Sequence, residues 1–149
     1  MRIIKLAIIS VIVFSLLITM ISLFFPSRVR ISRAIDMNTD RNAVIQQLKD
    51  TAKWKNWYPG ADSALVLPVI TAVTDSSVSA ETYLENGRKG MTGWNVYEAS
   101  LPHSVTVQWY MDFRLRWYPW EKFSGLLLEK RYGPVMEIGL GRMKELIEK

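Results

Sequence analysis

The chain of 149 residues has no cysteine and one histidine, which excludes disulfide scaffolds and thiolate metal sites and leaves little material for histidine-based catalysis. Its length holds one domain plus a terminal segment. The net charge of +5 is scattered rather than clustered, so it asks for no nucleic-acid partner, while a weakly basic surface suits an anionic lipid face.

Leu6 to Phe25 carries no charged residue, and its only polar interruptions are Ser10, Ser15, Thr19 and Ser22. At helical rise this stretch spans about 30 Å, the thickness of a bilayer's hydrocarbon core. Pro26 closes it, and Arg28, Arg30 and Arg33 follow. A cleaved signal peptide normally has a shorter apolar region and a small-residue cleavage site, and neither is present before Pro26. The expectation is a retained transmembrane helix, with residues 1–27 as the anchor and 28–149 as the domain. Arg2 and Lys5 on one flank nearly balance the arginines on the other, so the positive-inside rule gives only a lean toward a cytoplasmic N-terminus and an outside domain.

Val29, Ile31, Arg33 and Ile35 alternate with polar or small residues and predict a first strand. Asn38, Thr39 and Asp40 offer N-caps to a short helix carrying Ala43, Val44, Ile45 and Leu48. TAKWKNWY, with Trp54 and Trp57, predicts a second helical turn stopped by Pro59-Gly60. Ala64 to Val73 is β-branched and interrupted by Pro68, which places it near a sheet edge. Val78 to Glu85 alternates, Asn86-Gly87 is a turn signal, and Met91 to Leu101 predicts another strand. Val105, Val107, Trp109, Met111, Phe113, Leu115 and Trp117 form a period-two run, the pattern of a strand with one wet and one buried face. After the aromatic corner Trp117–Trp120, Phe123 to Tyr132 predicts helix. Gly133-Pro134 either separates it from the final helix or kinks one long one. In that final helix Met136, Gly139, Leu140, Met143, Leu146 and Ile147 share a face opposite Glu137, Lys144, Glu145 and Glu148. The class is α+β, an antiparallel sheet with one face packed by the last helix.

This order resembles the SRPBCC superfamily, the START-like, helix-grip group that includes polyketide cyclase/dehydrase and lipid-transport-like proteins. The words that carry the resemblance are RVRISRAIDMNTD, TAKWKNWYP, VTVQWYMDF and the ending KRYGPVMEIGLGRMKELIEK, and it covers Val29 to Lys149. It implies a helix grip, a curved antiparallel sheet wrapped around a long C-terminal helix, with two small helices after the first strand. The family's sheet usually has six or seven strands. Here there is room for about five to six at ordinary strand lengths. The resemblance further implies a cavity between sheet and helix, which in the family holds lipids, sterols or polyketides.

Trp94, Trp109, Met111 and Phe113 on the sheet, with Met136, Gly139, Leu140 and Met143 on the helix, either line such a cavity or fill a solid core. Gly139 lets a ligand or a bulky residue such as Trp109 come close. Arg33 is the odd member of an apolar strand face. It either meets a ligand's acid group or reaches a rim acid with its stem packed. His103, the one conventional acid–base residue, has no carboxylate nearby in sequence, and no paired-carboxylate site, phosphate loop, nucleophile elbow or metal site is apparent. Trp117, Tyr118 and Trp120 with Arg114, Arg116 and Lys122 form an aromatic–basic cluster that suits a membrane interface, a partner site or a packed corner. The reading that follows is a membrane-tethered, non-catalytic binder of a hydrophobic small molecule or lipid, needing no cofactor and no nucleic acid. The alternatives are a filled-core protein-interaction module and a cyclase/dehydrase-type enzyme.

Overall fold

The computed structural model describes residues 2–61, 67–83 and 87–149. Helix α1 (Arg2–Leu23) is followed by β1 (Arg28–Met37), α2 (Arg41–Lys49) and a 3-10 turn (Thr51–Asn56). Then come β2 (Val69–Val73), β3 (Ser77–Tyr83), β4 (Lys89–Glu98), β5 (Val105–Arg114), α3 (Pro119–Gly125) and α4 (Leu128–Ile147). The strands form one five-stranded antiparallel sheet in the order β1-β5-β4-β3-β2. It is a curved sheet gripping the C-terminal helix, the expected helix-grip architecture at the lower end of the expected strand count.

The alternation in the sequence sets the register. β1 and β5 pair along their whole length, with Val29 opposite Phe113, Ile31 opposite Met111, Arg33 opposite Trp109 and Met37 opposite Val105. All of these face the concave side, together with Thr92, Trp94 and Val96 of β4 and Val78, Ala80 and Thr82 of β3, which are buried. The register makes Trp94 and Trp109 cross-strand neighbours with ring centroids 5.5 Å apart. β2 is short, follows the buried Pro68 and carries a bulge between Ile70 and Ala72, as suits a strand at the sheet margin. Leu84, Glu85 and Asn86 of the expected β3 end and turn, and the expected strand start Ala64–Val66, lie outside the described residues.

Several boundaries differ from the sequence reading. β4 starts at Lys89 and ends at Glu98, and β5 stops at Arg114, leaving Leu115 and Trp117 beyond the ladder. Asp40 is the N-cap of α2 by position, yet its side chain makes no capping bond. Of the two readings of Gly133-Pro134, separation fails and one helix running through it holds: α4 continues past Pro134, and the interruption lies earlier, at Leu126–Leu127. Pro134 costs one backbone hydrogen bond, which a helix packed along its length tolerates.

The core is aromatic. The 3-10 turn drives Trp54 and Trp57 between sheet and helices, where Trp54, Trp57, Trp94 and Trp109 are all inaccessible to solvent or nearly so. Trp54 and Trp57 meet Trp94 edge-on at 5.3 and 5.8 Å, and Tyr58 lies 5.3 Å from Trp109. Such offset and edge geometries add to the burial of each ring. α4 closes the grip through Gly139, where a Cβ would stand 2.7 Å from Trp109 and 2.8 Å from Pro59.

α1 is different in kind. It is long and apolar enough to cross a membrane, and hardly any of it is buried against the rest of the chain. Its far end is nevertheless fastened. The buried Lys122 of α3 donates from Nζ to the Phe25 carbonyl at 2.9 Å and to Ser27 Oγ at 2.7 Å, and Phe25 packs edge-on against Phe123.

Candidate ligand site

The residues expected to line a cavity are placed on the concave face and on α4, facing one another. Trp94, Trp109, Met111, Met136, Leu140 and Met143 are buried in one continuous apolar cluster. Gly139 is in contact with Trp109 and Pro59. Trp109 Nε1 donates to Thr92 Oγ1 at 2.8 Å, and Trp54 Nε1 donates to the Leu48 carbonyl at 2.9 Å. The indole N–H groups of Trp57 and Trp94 are buried without a hydrogen-bond partner among the described residues.

Arg33, on the same face, points to helix α4. Its Nε donates to Glu137 at 2.7 Å and a terminal nitrogen to Glu129 at 3.2 Å, while the guanidinium lies on Gly133, where a Cβ would stand 2.6 Å away. The hydrogen bond to Glu137 raises its already high pKa further, so it is a permanent cation holding α4 to β1. Of the two roles read from the sequence, this is the rim acid rather than a ligand's acid group.

Phe113, 4% exposed, belongs to the same buried cluster and stands at its edge. It lines a cleft of about 390 Å³ with Leu115, Leu127, Leu128 and Tyr132, within the range of small-molecule sites. The Phe113 and Tyr132 rings sit 4.9 Å apart and form its inner wall. The outer wall is α3, which crosses the end of β5 because Gly125 leaves room for the Leu115 side chain. Charge is gathered at the mouth. Arg88 forks onto Glu121 with contacts of 2.6 and 3.2 Å, and Glu121 also accepts from the Arg116 backbone N–H at 2.7 Å. The Arg88 hydrogen bond holds the Glu121 carboxyl below the usual glutamate range. Arg114 and Arg131 complete the rim. The mouth adjoins the place where Lys122 grips the end of α1, because both rest on α3.

Sequence reasoning missed most of this cleft. Leu115 continues the strand's alternation, and the Leu126–Leu128 run marks an apolar surface that a purely structural helix would not need. Nothing in the sequence links Arg88 to Glu121.

A second groove, of about 740 Å³, lies between α2 and the β4–β5 turn. There His103, at φ 55°, approaches Asp40, with Nδ1 3.3 Å from Oδ1. The fold therefore supplies the carboxylate that the local sequence lacks, and it explains why the Asp40 side chain does not cap α2. Both side chains are largely exposed, and among the described residues no hydroxyl or second acid is bonded to the ring. No cluster of three or more metal-ligating side chains occurs among the described residues.

No protein-family model and no curated protein matches this sequence. Solved structures do. A protein of unknown function from Staphylococcus aureus superposes with a TM-score of 0.58 at 10% identity, over 81% of this chain and 95% of that one. CalU16 from Micromonospora echinospora gives 0.57 at 12% identity, over 79% and 73%. The di-domain ARO/CYC BexL from the BE-7585A biosynthetic pathway gives 0.60 at 10% identity, over 80% of this chain and 46% of that one. The chain shares their helix-grip fold. At these identities the likeness concerns architecture, and what the fold does here rests on its own residues.

Proposed function

We propose that this chain is a membrane-tethered binding protein for a hydrophobic small molecule or lipid, and that it performs no chemistry on its ligand. The observation that carries this is the cleft walled by Phe113, Leu115, Leu127, Leu128 and Tyr132, apolar inside and charged at its mouth, beside the end of α1. An apolar chain fits between Phe113 and α3, and an acidic head group fits the arginines of the rim. The cavity expected between sheet and helix is thereby assigned to the open end of the grip, and the tryptophan cluster to support. A tether suits such a ligand because it holds the site where hydrophobic molecules partition.

The test is titration of a fluorescent fatty acid against the full chain in nanodiscs, compared with a Leu128→Trp variant that fills the cleft. Saturable binding lost in the variant supports the reading. Equal signal in both proteins, matching empty discs, rejects it.

A second reading, an interaction module, is favoured by Trp117 and Trp120, which are 60% and 68% exposed although Tyr118 stacks between them. Exposed aromatics of this size are unusual unless something covers them.

A further inference from the structure

We infer that the rim formed by Trp117, Trp120, Leu126 and Leu127, with Arg28 and Arg114, is a second membrane contact that seats the domain against the bilayer α1 enters. The inference rests on the reading of α1 as a membrane helix and adds a fixed orientation to it.

Three observations meet here. First, the rim is continuous with α1. Lys122 is 4% exposed and bonds the last turns of chain before β1, and Phe25 packs on Phe123, so α3 stands where α1 emerges. A spanning helix therefore brings α3 to headgroup depth. Second, the exposed side chains at that level are those that favour it. Trp and Tyr concentrate at membrane–water boundaries, and Leu126 and Leu127 are exposed apolar side chains beside them. Third, the charge is unbalanced in the right sense. Arg28 and Arg114 are register partners on the outer face of β1 and β5. They share a groove in which Arg30 is paired with Asp112 and Lys89 with Glu81, whereas no acid among the described residues pairs with either of them. Like charges opposite one another across strands repel. Anionic lipid phosphates supply the missing counter-charge.

Seating also bears on the cleft. Arg114 and Leu127 belong to both the rim and the cleft lining, so a seated domain would hold the cleft beside the headgroup layer.

The experiment uses the full chain in nanodiscs of neutral phosphatidylcholine, or of phosphatidylcholine with phosphatidylglycerol, made with bromine on the acyl chains. Bromolipid should quench Trp117 and Trp120 and iodide should not, because the other tryptophans are buried. Trp117→Phe with Trp120→Phe should abolish the bromolipid quenching. Arg28→Gln with Arg114→Gln should remove the excess quenching in anionic over neutral discs. Tryptophans open to iodide and untouched by bromolipid overturn the seat. So do tryptophans shielded from both, which marks a protein partner or a second copy. Alkaline extraction separates the two levels. A chain retained in the bilayer with wet tryptophans overturns the seat and leaves the anchor, whereas a chain released overturns both.

Discussion

Along one concave face, the middle of the grip and its α1-proximal end are built by opposite rules. In the middle, Trp54, Trp57, Trp94 and Trp109 fill the space between sheet and helix, and α4 needs a glycine to approach at all. At the end, Phe113 and Leu115 face a cleft whose outer wall is a seven-residue helix held by an arginine–glutamate pair. Burying large rings supplies much of the stability that a small domain needs, and the end is packed less tightly, with Leu127 exposed and Leu128 and Tyr132 only partly buried. On the proposed reading, the place to look for binding is where the packing stops, beside the end of α1.

The contrast can be broken most severely in the middle. Trp109→Ala should cost about 3–5 kcal/mol, the usual penalty for deleting a buried aromatic, and chemical denaturation would measure it. Gly139→Ala should cost about 1–3 kcal/mol, although alanine favours helix, because its Cβ meets Trp109 and Pro59. At the cleft, Glu121→Gln should cost about 1 kcal/mol at neutral pH, since the pair is near the surface. The sign with pH follows from the lowered carboxyl. Its contribution is complete above the ordinary glutamate range and disappears as pH falls through the lowered value, so melting curves of the wild type and the variant should converge in acid. Leu127→Ala should change stability by less than about 0.5 kcal/mol while weakening fatty-acid binding, which is the reverse of the outcome at Trp109. Tyr58 contributes nothing of this kind at neutral pH and acts only in alkali. Burial raises its hydroxyl to about 12 from 10, so the domain should lose stability as pH rises through that interval, and Tyr58→Phe should flatten that alkaline slope.

The middle was also the legible part. Period-two alternation along β5 and the 3.6 repeat on α4 give a strand and a helix whose apolar faces must meet, and Gly139 falls at the point of contact. The end was not legible, for a physical reason. Its wall depends on where α3 stops, and the sequence's strongest breaker, Gly133-Pro134, lies inside a continuous helix. The actual interruption, at Leu126–Leu127, contains no breaking residue. It is set by the fit of Gly125 over Leu115 and by the pairing of Arg88 with Glu121, both contacts between distant parts of the chain. Asp40 teaches the same lesson, because a residue that reads as a helix cap is diverted to His103 by a turn far along the chain.

Between the end of α1 at Leu23 and the start of β1 at Arg28 only residues 24–27 intervene, a leash of about 14 Å even when fully extended. A shuttle that loads at one membrane and unloads at another needs slack to cross the water between them. This linkage has none, and Lys122 ties down what little there is. If α1 is embedded, the domain is a fixed station: traffic reaches it by lateral diffusion, and its exchange partners are molecules in the same sheet of lipid.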